Sequence, residues 1–477
     1  MGGAGGALAG ALGLAVLLAG ADGARAQERP GDGADSIRRV TVAEAVDVAL
    51  RRSPVLTQAQ ADVSTARSSR TGAYGAFLPD VSLGYGFSDA STGRLDPTGQ
   101  AITTTSYSTQ LTGSVQLFDG FRRFNELESA RKTVDAREAT YEQRRYETAL
   151  SVKQAFYNSV AARERIEVER DRVERQRNQL GFVRQQIRLG RATRSDSLRS
   201  RVDLNDARLA LLNARNDARS AQFALTQAMG VDRRVAPVQE ATLEPDTLAW
   251  DRAQLLRVAE RRAPRVRSAR VAAEAAEASA DGEVSRYLPS LSFSGGWDWQ
   301  GSGFPPGNRS WSLRLNGSLP IFDGLQRETS LARARAQARS ARAQQRSAWL
   351  AVRSDVDDAY SQIQTALAGL DLARESVELS REDLRVTRQR YELGAATILD
   401  LQSAQIALRQ AQVDVIRRKF DFQVGVARLE SLLGADLDVL VGDRARAGPD
   451  GPGRPIAGAS AGPDPAAAGP GSGDTRR

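Results

Sequence analysis

Two acidic residues, Asp196 and Asp400, are the first candidates for chemistry, because each recurs in the same local setting. Each lies six residues past a glycine, Gly190 or Gly394, with Thr193 or Thr397 between. An acid in the first turn of a helix satisfies free amide groups and complements the helix dipole. Tyr391, three before Gly394, stands where the other copy has Ile187, and its phenol is expected to donate to Asp196 across the two turns. No wider reactive set accompanies these groups. The 477 residues include no His and no Cys. That removes the commonest general base, the Ser/His and Cys/His pairs and most catalytic zinc ligands. Carboxylate or lysine catalysis remains available, but no convergent constellation is visible. The chain reads as a non-enzyme without cofactor or metal.

The formal charge of +8 is almost all arginine; the only lysines are Lys132, Lys153 and Lys419. The arginines alternate with Asp, Glu and Gln along helical stretches, as on a solvated helix surface. No segment clusters them, so no nucleic-acid partner is expected. Residues 1–26 read as a signal peptide: an apolar, small-residue run from Ala4 to Gly20, then Ala24-Arg25-Ala26 before Gln27. No Lys or Arg precedes that run, which is atypical. No other stretch is long and apolar enough for a transmembrane helix. An exported chain of this kind is soluble or a β-barrel.

The elements that must position the acids are helical, and they are punctuated by two strand pairs, at about 81–118 and 291–322. Val81, Leu83, Tyr85 and Phe87 alternate with Ser82, Gly84, Gly86 and Ser88. The second pair alternates likewise and sets Trp297, Trp299 and Trp311 on its apolar face near the loop end. Each strand therefore has one apolar and one small polar face. A half-buried sheet on a soluble core explains the alternation alone. The polar face, small and uncharged over most of its length, and the grouped tryptophans favour a barrel wall with an interfacial aromatic girdle facing lipid. Four strands cannot close a barrel, and a membrane sheet cannot leave open edges, so several chains would have to share one.

The chain is internally duplicated. Pro54 matches Pro264, and Phe77-Leu78-Pro79 matches Tyr287-Leu288-Pro289, at an offset of 210. From Phe118-Asp119-Gly120 onward the offset is 204 and runs without gaps through Gly230 and Gly434. This predicts a flexible leader at 27–40, a first repeat at 41–232 and a connector at 233–248. A second repeat follows at 249–440, then a disordered Gly/Pro/Ala tail at 441–477. Strands are expected at about 81–118 and 291–322, with a hairpin loop at Ser88–Ile102 in the first. Helical hairpins are expected at about 120–229 and 324–433, with Asp119 as an N-cap. Heptad seams run through Ile166, Val173, Leu180 and Ile187, and through Leu204, Leu211, Ala218 and Leu225. They repeat in the second half and imply long helices packed side by side. A single helix over 120–188 would be roughly 100 Å long.

Over about residues 40–440 this arrangement resembles the TolC-like outer-membrane efflux proteins. The matching segments are Tyr287-Leu288-Pro289, Leu319-Pro320-Ile321-Phe322-Asp323-Gly324, and Tyr391 to Leu401 with its Gly394-Ala395-Ala396-Thr397 turn. The first copy departs from the pattern with Gln116 in place of Pro320 and with Arg191, Arg194 and Ser195 at its tip. Leu325 replaces a second glycine. The resemblance implies a mixed α/β membrane protein in which each half is a β-hairpin plus a long α-helical hairpin. Three copies would build an outer-membrane β-barrel continued by a periplasmic α-helical barrel. It implies a passive exit duct for an efflux pump or type I secretion system. The partners would be a periplasmic adaptor (membrane fusion) protein, an inner-membrane transporter and outer-membrane lipid. Gly190 and Gly394 would mark the periplasmic mouth. In a trimer, Asp196 and Asp400 would form a carboxylate ring there, held shut with help from Tyr391. A trimeric surface coiled-coil adhesin and the periplasmic adaptor itself are the alternatives. The first explains the heptads and export, the second the helical hairpin, and neither explains two strand pairs.

Overall fold

The computed structural model describes residues 37–95, 101–238, 241–245 and 251–435. The expected signal peptide, residues 27–36 of the leader and the tail at 441–477 lie outside them. The chain runs β1 (Arg38–Val40), α1 (Val42–Arg52), α2 (Pro54–Gly75), β2 (Asp80–Leu95), β3 (Ala101–Phe118), α3 (Arg122–Arg188) and α4 (Arg194–Ala228). The second half runs β4 (Val235–Pro237), α5 (Arg252–Arg262), α6 (Pro264–Val284), a 3-10 turn at Ser285–Tyr287, β5 (Ser290–Gly301), β6 (Asn308–Ser318), α7 (Gln326–Glu392) and α8 (Ile398–Leu433).

The long helices α3 and α7 are 67 residues each. No position of the heptad seams is exposed in either copy. At mid-length, α1 and α5 seal the bundle. Ala45 and Ala49 pack with Val152, Phe156 and Leu225, while Leu255 and Ala259 pack with Val356, Ile363 and Leu429. Gly230 and Gly434, at φ 65° and 66°, cap α4 and α8 against the α1–α2 and α5–α6 corners. A β-carbon on Gly230 would stand 2.9 Å from the Arg52 carbonyl oxygen.

The four long strands form one antiparallel sheet in the order β2-β3-β5-β6, so β3–β5 pairing joins the two halves. The register aligns Leu83, Leu111, Trp297 and Trp311 in one row across all four strands. Opposed residues share a face, so the apolar faces of both hairpins are continuous. Ser82, Thr112, Gly296 and Ser312 make the neighbouring row on the polar face.

Three expectations need correction. The loop expected at Ser88–Ile102 is mostly strand: the ladder continues through Ser88–Ser106, Asp89–Thr105 and Ala90–Thr104. Threonine-rich sequence favours extended backbone, and Gly93 does not cancel that within β2. The leader is not wholly flexible either. Residues 38–40 form β1, parallel to β4, and Val40 is fully buried. Finally, the N-cap position of α3 is Phe121, at φ 65°, not Asp119, although the Asp119 carboxylate does accept the Arg123 amide at 3.1 Å. Leu325 occupies the same place before α7 at φ 66°. Left-handed backbone costs a side-chain-bearing residue about 1–2 kcal/mol. That is the physical reason a second glycine suits this site, and why Phe121 and Leu325 hold strain in its place.

Candidate functional site

Two regions hold the predicted residues, at opposite ends of the long helices. At the tips, α3 ends in a Schellman turn: the Gly190 amide donates to the Ile187 carbonyl at 3.0 Å and the Arg191 amide to Gln186 at 2.9 Å. The copy repeats it, with Gly394 donating to Tyr391 at 3.1 Å and Ala395 to Arg390 at 2.7 Å. Both glycines are left-handed, at φ 70° and 77°, so each reverses the chain where a β-carbon would strain it.

The acids then start the return helices. Thr193 is the N-cap of α4, and its hydroxyl oxygen accepts the Asp196 amide at 3.2 Å. Asp196 Oδ2 accepts the Thr193 amide at 2.9 Å and the Thr193 hydroxyl at 2.8 Å. Thr397 and Asp400 reproduce this at 3.2, 2.8 and 2.8 Å. These are reciprocal capping boxes, with the threonine as cap and the acid at the third helical position. The spacing Thr-x-x-Asp was the available signal. The Thr397 backbone and hydroxyl donors hold the Asp400 carboxyl below its ordinary value.

The two tips enclose a cleft of about 650 Å³ lined by Phe182, Arg191, Asp196, Tyr391, Leu393 and Thr397. Tyr391 does not hydrogen-bond Asp196 within the chain. Asp196 is engaged by its own cap, and the Tyr391 ring packs against Phe182 with centroids 6.1 Å apart. Asp196 is still near enough to matter: burial and then its negative charge hold the Tyr391 phenol above its ordinary range. Deeper in, Gln176 donates to Gln405 at 2.6 Å and ties α3 to α8. Leu189 and Leu393 project from the turns, 59% and 84% exposed.

At the other end, the structure puts Trp297 and Trp311 directly opposite each other, and Trp299 opposite Arg309. All three tryptophans share the apolar face, and Trp297 and Trp311 are exposed.

A third constellation was missed in the sequence. Arg123 donates to Asp119 Oδ2 at 3.0 Å and lies over the Phe77 ring, 5.0 Å from its centroid. Its copy, Arg327, donates to Asp323 at 3.0 Å and lies 5.0 Å over Tyr287. Arg327 also donates to the Pro320 and Ile321 carbonyls at 2.9 and 3.1 Å. One guanidinium thus links the aromatic-Leu-Pro segment, the Phe-Asp-Gly segment and the first helical turn. It clamps sheet to helices in each half. The signal was an arginine four residues after each Asp, at the repeat offset.

The sequence profile described as outer membrane efflux protein matches residues 45–231 and 255–435. The chain belongs to that family. Protein CyaE of Bordetella pertussis is 30% identical over 319 residues, covering 64% of this chain and 65% of that protein, just under two thirds of its length. Among solved structures, CusC superimposes with a TM-score of 0.72 at 19% identity, covering 84% of this chain and 94% of that one. The Campylobacter jejuni CmeC outer membrane channel gives 0.72 at 16% identity, covering 84% and 88%. The open Neisseria gonorrhoeae MtrE channel gives 0.69 at 19%, covering 83% and 89%. These likenesses are of fold. The family is one of outer-membrane transport proteins that extend into the periplasm, and its membership sets aside the adhesin and adaptor alternatives.

Proposed function

We propose that this chain is one third of a passive outer-membrane exit duct, serving a tripartite efflux pump or a type I secretion system. The observation that carries the reading is an unequal pair of equivalent sites. Gly120, at φ 67°, packs on the other half: a β-carbon there would stand 2.5 Å from the Ser285 carbonyl oxygen and 2.6 Å from Leu288 Cβ. Gly324, its copy at φ 69°, meets nothing within 4 Å. By the repeat, the missing partner is Leu78, which is 69% exposed, on another copy of the chain. The contact between halves is then a template for the contact between chains.

The same template supports pairing of the free β6 edge with β2 of the next chain. Transferring the Leu111–Trp297 register gives Leu315 opposite Phe87 of that chain. It also brings α7 against the next chain's α4, covering Leu372 and Leu379 with Val202 and Leu209, all now exposed. Two such chains would close eight strands, an interior that side chains fill; three close twelve and leave a lumen. The tips, with Gly190 and Gly394, would then form the periplasmic mouth. The adaptor protein and the inner-membrane transporter would meet there, and Asp196 and Asp400 would ring it.

The test uses the natural absence of cysteine. Opposed residues in an antiparallel pair lie about 4.5–5.5 Å apart at Cα, within disulfide range. The double variant Phe87→Cys, Leu315→Cys should give covalent dimers and trimers in the outer-membrane fraction, each single variant none. Monomer throughout would overturn the shared barrel. Ala192→Cys and Ala396→Cys should crosslink to the adaptor and stay silent to reagents added outside the cell.

A further inference from the structure

Gly113 and Gly295 face each other across the β3–β5 ladder on the apolar face. Neither carries a β-carbon, so the surface is dented between two bulky rows, Leu111–Trp297 and Val115–Phe293. Trp311 and Leu313 of β6 and Pro79 complete a groove of about 580 Å³ with mostly carbon walls. A β-carbon on Gly113 would meet nothing closer than 4.0 Å, whereas one on Gly295 would stand 2.6 Å from Leu313 Cδ2, so the open part of the dent lies over Gly113 and Leu313 forms its wall on the β6 side.

The loop end of this groove carries one charge. Arg309 lines it, opposite Trp299 and next on its face to Trp311. No carboxylate shares that face on β5 or β6. Asp298 pairs with Ser310 and belongs to the polar face. An exposed guanidinium is therefore set on an apolar wall with no acid of its own strand pair to neutralise it.

We propose that this groove binds a phosphorylated, acylated glycolipid of the lipid A type: one acyl chain in the glycine dent and the phosphate on Arg309. The proposal rests on the barrel reading above, which turns the apolar face to lipid. An arginine at mid-bilayer depth costs about 2–4 kcal/mol, and near the interface about 0–1. Arg309 lies beyond the Trp297–Trp311 row, toward the loops, where aromatic belts mark the interface. A phosphate matches the guanidinium fork and supplies the missing counter-charge. From the Trp299 row to the Phe293 row is six residues, roughly 20 Å of strand. That exceeds half of a ~30 Å hydrocarbon core, room for a chain to lie along the groove. The choice of glycolipid follows from the end of the sheet. The loops lie away from the helices, so Arg309 faces the outer leaflet, which lipid A occupies.

The experiment is native mass spectrometry of the full-length assembly in detergent. Bisphosphorylated lipid A, its dephosphorylated form, phosphatidylglycerol and phosphatidylethanolamine are added separately. The wild type should retain bisphosphorylated lipid A over the dephosphorylated form by about tenfold, the discrimination of one charge-assisted bond. Arg309→Gln should abolish that preference while acyl binding persists. Gly113→Leu, which fills the dent, should release both forms. Arg309 is exposed, so its variant reads the site even where Gly113→Leu fails to assemble. Equal retention of all four lipids, or a preference for phosphatidylglycerol over lipid A, overturns the proposal. Brominated lipids separate this from failure of the barrel reading. If they quench Trp297 and Trp311 but lipid A is not retained, only the site falls; if they quench neither, the barrel falls too.

Discussion

The two strand-to-helix junctions carry one device in different company. In the first half, Asp119 and Arg123 are 4% and 11% exposed, and Gly120 is packed by the second half. In the second, Arg327 is equally covered, but Asp323 is 25% exposed and Gly324 is open. Around Gly324, Ile321 is 89% exposed and Phe322 79%. The turn itself is the same in both, with Gly120 and Gly324 at φ 67° and 69° and Phe121 and Leu325 at 65° and 66°. The first junction has its neighbour inside the chain; in the proposed assembly the second would find its neighbour on another copy. A duplicated chain thus reports its own assembly contact through whichever copy lacks a partner.

The sharpest way to break this comparison is to remove the clamps. Arg123→Ala leaves the buried Asp119 carboxylate without its counter-charge, keeping only the residue-123 amide, and should cost about 3–5 kcal/mol. Arg327→Ala should cost about half that in the dissociated chain, because water reaches Asp323. In the assembled protein the two losses should converge. Thermal unfolding of each variant, with and without dissociating detergent, checks this; a gap that survives assembly would mean no neighbour covers the second junction.

The glycines test the same point with smaller groups. Gly120→Ala combines left-handed strain with a clash on Ser285, about 2–5 kcal/mol together. Gly324→Ala should show the strain alone, about 1–2 kcal/mol, wherever no other chain is packed against it. Within the assembly it should match Gly120→Ala, read as the temperature at which the multimer dissociates on a gel.

Much of this architecture was legible in sequence because periodicity is local. The 67-residue helices, the strand faces and the tip glycines follow from spacing within one element. The clamps were not legible. They join Arg123 to Phe77, 46 positions apart, and no pattern within one element announces a tertiary stack. The capping role of Asp196 and Asp400 was legible from their place in a first helical turn, while its reciprocal half rests on the Thr-x-x-Asp spacing to Thr193 and Thr397. The expected Tyr391–Asp196 bond failed for a related reason: an acid whose oxygen is engaged by its own cap has less to offer across the tip. The Phe-Asp-Gly segments showed where strands end, but not that β3 would have a second partner strand and β6 none among the described residues. Within each hairpin the ladder ends at matching residues, Ser114 opposite Asp80 and Ser318 opposite Ser290; β3 runs on to Phe118 because β5 pairs with its other edge, whereas β6 has no described strand there.

At the tips the comparison becomes one of caps. Thr193→Ala and Thr397→Ala should each cost about 1 kcal/mol, seen as faster amide exchange in the first turns of α4 and α8. The Asp400 contribution depends on pH with a defined sign. Its folded-state pKa is lowered from 3.8, so its stabilisation is complete above pH 3.8 and fades as pH falls through the lower folded value. Protection at the start of α8 should therefore hold at pH 5 and decline in acid below 3.8. Loss of protection on raising the pH would contradict the capping geometry.

The smallest effect separates two roles for Tyr391. The phenol stays neutral at working pH, because burial and the Asp196 charge both oppose its ionisation. It is therefore a permanent donor, but within the chain its ring contact with Phe182 is what joins the tips. Tyr391→Phe keeps that contact and should leave resting conductance in planar bilayers unchanged, with a stability shift under about 0.5 kcal/mol. Tyr391→Ala removes the ring and should loosen the tips, raising conductance. Asp196→Asn with Asp400→Asn should lower cation preference without opening the mouth, since an asparagine oxygen at the third helical position can still accept the threonine amide. A rise in conductance in Tyr391→Phe would restore the hydroxyl as the latch. It would mean that assembly draws Asp196 away from its cap, making the tip of the first half differ between the free chain and the duct.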